Sequence, residues 1–196
     1  MQLLFATTNK GKLKEVRKIF SETSFAILSL ADFHAIPEII EDGATFAENA
    51  KIKAKTVYDL FKIPTIADDS GLSVDQLNGE PGVFSARYAG ENATDESNNN
   101  LLLEKLSLFP EPHYARFVCS AVFYDGKSFI SSEDVMEGKI IHKPRGANGF
   151  GYDPLFIAEG YSITNGELSL EEKNKISHRA KAFSRLHEMM WKQFEV

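Results

Sequence analysis

Residues 115–135, ARFVCSAVFYDGKSFISSEDV, read as a β-hairpin that turns at Asp125-Gly126. Asp-Gly suits the positive φ angles of a tight hairpin turn. The pattern upstream is different. Residues 2–6 are a short apolar run, and residues 11–20, GKLKEVRKIF, put Leu13, Val16, Ile19 and Phe20 on one helical face. Residues 25–30, FAILSL, suggest a second strand. Residues 44–61 give the clearest helix, with Phe46, Ala47, Ala50, Ala54, Val57, Tyr58 and Phe61 in period and lysines elsewhere. Pro64 closes that segment, and TIAD (65–68) reads as another strand. Alternating strands and helices argue for parallel pairing, and the later hairpin for antiparallel pairing. The expected class is therefore α/β with a mixed sheet. Thr94 can cap a helix through about residue 107, and Ser177 can cap a last helix with Ala180, Phe183, Leu186, Met190 and Phe194 along one side.

The 196 residues fit a single domain, 1–196, with room for two lobes. A hydrophobic share of 43% with 15 Phe is ample for a core. The net charge of -6 disfavours a nucleic-acid polymer as main partner, since that needs broad positive surface. A small anion needs only a local group of bases. The single cysteine, Cys119, rules out an internal disulfide and fits a reducing compartment. No run of 18 apolar residues is present, and MQLLFATTNK lacks the features of a signal peptide. The expectation is a soluble cytoplasmic protein with no membrane partner.

Five segments carry chemistry. TTNKGK, residues 7–12, joins a strand to a helix, a geometry that offers backbone N–H groups to an anion, with Gly11 for close approach and Lys10 and Lys12 for charge. It is not a Walker A loop, because Leu13 follows Lys12 where Ser or Thr is required. A capped helix with solvated lysines is the plainer alternative. PTIADDSGLSVD, residues 64–75, sets Asp68 beside Asp69. Adjacent strand residues face opposite ways, so both can line one pocket only if the strand ends there, as Ser70-Gly71 suggests. Like charges this close favour a hard cation such as Mg²⁺, unless the pair is an Asx-type turn. Glu41 and Asp42 add carboxylates just before the long helix. KPRGANGFGYDPLF, residues 143–156, is glycine-rich, with Phe150 or Tyr152 available to stack on a flat ring. EEKNKISHRAKA, residues 171–182, brings Lys173, Lys175, His178 and Arg179. Cations in the first turn after Ser177 oppose the helix dipole, which calls for a compensating anion.

Taken together, ATTNKGK, TFAENAKIKA, ADDSGLSVDQLNGEPGVFSARYAG, GFGYDPLF and EEKNKISHRAKA resemble the inosine/xanthosine triphosphate pyrophosphatase family, in that family's order and across nearly the whole chain. The resemblance implies an elongated two-lobed fold with the active cleft between lobes, a homodimer, and Mg²⁺-dependent cleavage of inosine, deoxyinosine or xanthosine triphosphate to the monophosphate and pyrophosphate. It implies Asp69 as general base and metal ligand, Glu41 as the second metal carboxylate, and Asp68 as a metal or water partner. It further implies substrate contacts from Thr7, Thr8, Asn9, Lys10, Gly11, Lys12, Ser70, Phe150, Gly151, Tyr152, Asp153, Lys173, His178 and Arg179, with Lys53 facing phosphate. Thr8 stands where many relatives have Gly, and Ile40 where some have an acid. A fixed donor near purine position 6 would favour a 6-oxo base over adenine, and His178 with Arg179 is the candidate. A pyrophosphatase for modified pyrimidine nucleotides and a non-catalytic nucleotide-binding module are the alternatives.

Overall fold

The structure is a computed structural model that describes residues 1–33, Ile36 and residues 39–194. Six strands form one sheet in the order β2-β1-β3-β4-β5-β6. They are β1 Gln2–Phe5, β2 Ala26–Ser29, β3 Thr65–Val74, β4 His113–Tyr124, β5 Phe129–Ile140 and β6 Phe156–Ala158. The helices are α1 Lys10–Ile19, α2 Phe46–Phe61, α3 Asp95–Leu106, α4 Leu170–Ile176 and α5 His178–Phe194. β1 pairs in parallel with β2 and with β3, whereas β5 and β6 are antiparallel. β4 and β5 are neighbours joined by residues 125–128, a link short enough only for an antiparallel pair. The sheet is therefore mixed, as the early alternation and the later hairpin require.

The chain divides into two compact units. The first comprises Met1–Asp69, Cys119–Asp134 and Arg179–Val196; the second comprises Ser70–Val118 and Val135–His178. In the first unit, β1 is buried on both faces, and its alternate residues join separate cores. Leu3 and Phe5 pack with Ile66, Cys119, Phe123 and the α1 and α5 residues Val16, Phe183 and Leu186. Leu4 and Ala6 pack with Ala67, Val122 and the α2 residues Ala50, Ala54 and Val57. Period-2 alternation thus sorts helices to the two sides of the strands. The second unit has its own core, built on Leu72, Val74, Leu102, Phe117, Leu155 and Phe156.

The expected stripe on α5 is buried at Ala180, Phe183, Leu186 and Met190. The side chain of Phe194 lies outside the described residues. Thr45 and Thr94 cap α2 and α3, each accepting from a backbone N–H in a capping box. One expectation fails. β3 does not end at the aspartates but runs through Asp68, Asp69, Ser70 and Gly71 to Val74. Gly71 marks a close approach within the strand: a Cβ there would lie 2.3 Å from Ser85 Oγ and 2.5 Å from the Gly82 carbonyl. Ser85 Oγ in turn accepts from the Leu72 amide at 2.9 Å.

Candidate functional site

Because β3 continues, Asp68 and Asp69 point to opposite faces of the strand, each toward a different set of helices. Asp68 shares its side with Ile66, the side covered by α1 and α5. Its Oδ2 lies 3.1 Å from Lys12 Nζ and 3.2 Å from Arg179 Nε. Arg179 also pairs with Glu15, through a second guanidinium nitrogen. The Asp68 side chain is fully buried, and its Oδ1 has no hydrogen-bond partner among the described residues. Burial alone would raise its pKa, but Lys12, Arg179 and Lys53 overcome that effect and hold the carboxyl well below the usual carboxylate range. The cation that opens α5 is thus matched by anions of the chain itself. Cys119 Sγ, 3.8 Å from Asp68 Oδ2, stays a thiol, because burial and then the Asp68 charge push its pKa up.

Asp69 shares its side with Ala67, facing α2. Asn49 Nδ2 donates to its Oδ2 at 3.1 Å, and Lys53 Nζ is 3.5 Å from its Oδ1. Lys53 also donates to Glu41 Oε2 at 2.7 Å. Asn49 and Lys53 sit one helical turn apart and are both buried on α2 beside Ala50 and Ala54. Burial would lower the Lys53 pKa, but Asp69, Asp68 and Glu41 raise it beyond the ordinary value, so the amine stays charged. Two carboxylates, Glu41 and Asp69, therefore converge on one cation. Their hard oxygen donors fit a divalent ion such as Mg²⁺ on the α2 side of the strand.

The opening loop leads from β1 into α1. The Asn9 side chain accepts from the Lys12 amide at 3.1 Å, and Thr7 Oγ1 accepts from the Asn9 amide at 3.2 Å. The first amides of a helix have no acceptor within it. Those of Lys10 and Gly11 find none among the described residues, and Lys10 is exposed. Thr8 is exposed in the same loop.

The remaining expected residues lie in the second unit, where Ser70 continues β3 in a half-buried position. Asp153 accepts from Lys173 Nζ at 2.6 Å, from the Phe150 amide at 2.9 Å and from Asn165 Nδ2 at 3.2 Å. Lys173 Nζ also stands 5.0 Å from the Phe150 ring centroid. The Gly151 amide donates to Asp95, and the Tyr152 hydroxyl, in the core, donates to the Ser85 carbonyl at 2.9 Å. His178 stacks on Phe117 with centroids 4.9 Å apart. Ser177 stands between α4 and α5.

The structure therefore gathers Lys12, Glu41, Lys53, Asp68, Asp69 and Arg179 in the first unit, and Phe150, Asp153 and Lys173 in the second. Sequence reasoning missed Glu15 and Asn49. The available signal for Asn49 was its four-residue spacing from Lys53 on the alanine-rich face of α2.

Comparison with known proteins places this arrangement in a family. The family described as the Ham1 family matches residues 3–189. A dITP/XTP pyrophosphatase of Geobacter sulfurreducens is 46% identical over 198 residues, covering 99% of each chain. One of Listeria innocua is 49% identical over 189 residues, covering 94% of this chain and 92% of its own. The solved HAM1 protein of Coxiella burnetii superposes with a TM-score of 0.88 at 37% identity, over 98% of this chain and 99% of that one. The Staphylococcus aureus Ham1 protein gives 0.86 at 36% identity, over 98% of this chain and 100% of that one. This chain belongs to the Ham1 family.

Proposed function

We propose that the protein hydrolyses non-canonical purine nucleoside triphosphates (inosine, deoxyinosine and xanthosine triphosphate) to the monophosphate and pyrophosphate. Its relatives named dITP/XTP pyrophosphatase match over nearly their full length. The observation that carries the reading is the carboxylate cluster on β3. Asp68 and Asp69 are adjacent, each is held by its own lysine, and Glu41 shares the second lysine.

Phosphoryl transfer depends on positioning and charge stabilisation more than on covalent chemistry. Lys12 and the Lys10 and Gly11 amides bind phosphate oxygens at the start of α1. Asp69, its Oδ2 oriented by Asn49, accepts the proton of the attacking water. Glu41 and Asp69 would hold Mg²⁺, and the ion would supply positive charge against the phosphates and a more acidic water. Arg179 acts by fixing Asp68, and Lys53 keeps Glu41 and Asp69 together. His178 is the donor assigned to the 6-oxo group. An unchanged preference for inosine over adenosine triphosphate in His178→Ala removes that assignment. The protein is further taken as a cytoplasmic homodimer, which sedimentation of the purified chain checks for its assembly.

The test is pyrophosphate release from a panel of inosine, deoxyinosine, xanthosine, adenosine, guanosine and modified pyrimidine triphosphates, with and without Mg²⁺. Turnover confined to the first three and lost without Mg²⁺ is expected. Preference for a pyrimidine, or binding without turnover, overturns the proposal.

A further inference from the structure

We propose a second cation site in the second unit, where Glu111, His113 and His142 hold a divalent first-row transition ion, zinc foremost. Their ligand atoms all lie within 4.8 Å of one another. His142 Nε2 is 3.2 Å from His113 Nε2 and 2.9 Å from Glu111 Oε1. Two donors on one tetrahedral zinc, each about 2.0–2.1 Å from the metal, stand about 3.3–3.4 Å apart. The two spacings to His142 are close to that value, and the third pair lies within 4.8 Å.

The hydrogen bonds around His113 fix its tautomer. Gln76 Nε2 donates to the Pro110 carbonyl at 2.7 Å, and a carbonyl can only accept. Gln76 therefore turns its Oε1 to His113 Nδ1, 2.6 Å away, and that nitrogen must carry the proton. The lone pair of His113 is left on Nε2, which faces His142. A carboxamide or carbonyl behind a ligating histidine is the usual means of orienting it toward a metal. His113 is fully buried, and burial, then the neighbouring His142, lower its pKa against the pull of Glu111. Both effects favour the neutral imidazole that ligation needs. Without a cation, one N–H on His142 Nε2 faces two acceptors; a metal ion serves all three groups.

The donor set separates this site from the carboxylate cluster on β3. Imidazole nitrogen with one carboxylate suits zinc, cobalt, nickel or copper, whereas Mg²⁺ prefers oxygen. The location gives the ion a structural task. His113 is the first residue of β4, Glu111 precedes it by two, and His142 follows the end of β5 by two. The ion would clasp the open end of the hairpin, the end away from the Asp125-Gly126 turn. The His142 and Glu111 side chains are 43% and 68% exposed, so an ion enters from solvent and water completes its coordination.

The proposal is independent of the hydrolytic reading, and its test needs no substrate. The full chain is titrated with Co²⁺ in excess Mg²⁺, following the visible absorption of tetrahedral cobalt, and Zn²⁺ is then added. One equivalent is expected to bind and to be displaced by Zn²⁺. His142→Gln and Glu111→Gln, both at exposed positions, should each weaken binding by at least about 10-fold. Absence of the band in the natural chain, or a band of the same affinity in either variant, overturns the proposal.

Discussion

Asp153 in the second unit and Asp69 in the first each face a lysine amine, yet their surroundings differ. Asp153 and Lys173 are 2.6 Å apart with side chains 3% and 4% exposed, and the Phe150 amide and Asn165 donate to the same carboxylate. Gly149 lies so close that a Cβ would meet Asp153 Oδ2 at 2.1 Å, and its φ of 77° is one only glycine adopts readily. Asp153 thus ties down the 149–153 loop. Asp69 stands 3.5 Å from a lysine that lies closer, at 2.7 Å, to Glu41. A carboxylate that shares its cation can take up another cation or a proton; one enclosed by three donors holds a loop. Residue type alone, an Asp and a Lys, does not distinguish the two; the loop amide held by Asp153 and the second carboxylate served by Lys53 do.

The comparison is tested most severely by two substitutions. Asp69→Asn should lower pyrophosphate release from inosine triphosphate by about 10²–10⁴-fold, with urea stability changed by less than about 1 kcal/mol. Lys173→Met leaves Asp153 buried without its cation and should cost about 3–5 kcal/mol in the same unfolding measurement. An Asp69→Asn protein that unfolds as easily as Lys173→Met, or a Lys173→Met protein as stable as the natural chain, would abolish the distinction.

These contrasts show what the sequence could reveal. The hairpin was legible because Asp125-Gly126 is a local signal, and α2 because its alanines and aliphatics keep a helical period. The end of β3 was misread because Ser70-Gly71 has the composition of a turn. What continues the strand is tertiary: its place beside β4 in the sheet and the approach of Ser85 to Gly71. Arg179 at the start of α5 did need an anion, but the anions are Asp68 and Glu15, separated from it by 111 and 164 residues. No local pattern marks Glu15, which sits between Lys14 and Val16. The family motifs supplied the reaction; they did not show that Asp68 and Asp69 face opposite sides of the strand.

Acid sharpens the comparison from the Asp68 side. The folded pKa of Asp68 lies below that of the unfolded chain, about 3.9. Its contribution to stability is present above the unfolded value and is lost as pH falls through the folded one. Urea unfolding from about pH 6 to pH 3 should show a decline that begins near pH 4 and is shallower in Asp68→Asn. An identical acid slope in the two proteins would mean that Lys12 and Arg179 do not hold this carboxylate ionised.

The smallest effect concerns helix starts in the two units. Asn9 accepts from the Lys12 amide at 3.1 Å, and Thr94 accepts from the Ser97 amide at the same distance. Asn9→Ala and Thr94→Ala should each cost about 1 kcal/mol, since both remove one cap. Only the first helix carries Lys12, whose amine reaches Asp68. Asn9→Ala should therefore also raise KM for inosine triphosphate, whereas Thr94→Ala should leave KM alone. A shared stability loss with divergent KM assigns residues 7–12 to phosphate binding. Equal KM values would make that loop a helix cap and nothing more, and the phosphate contacts would then have to come from lysines outside it.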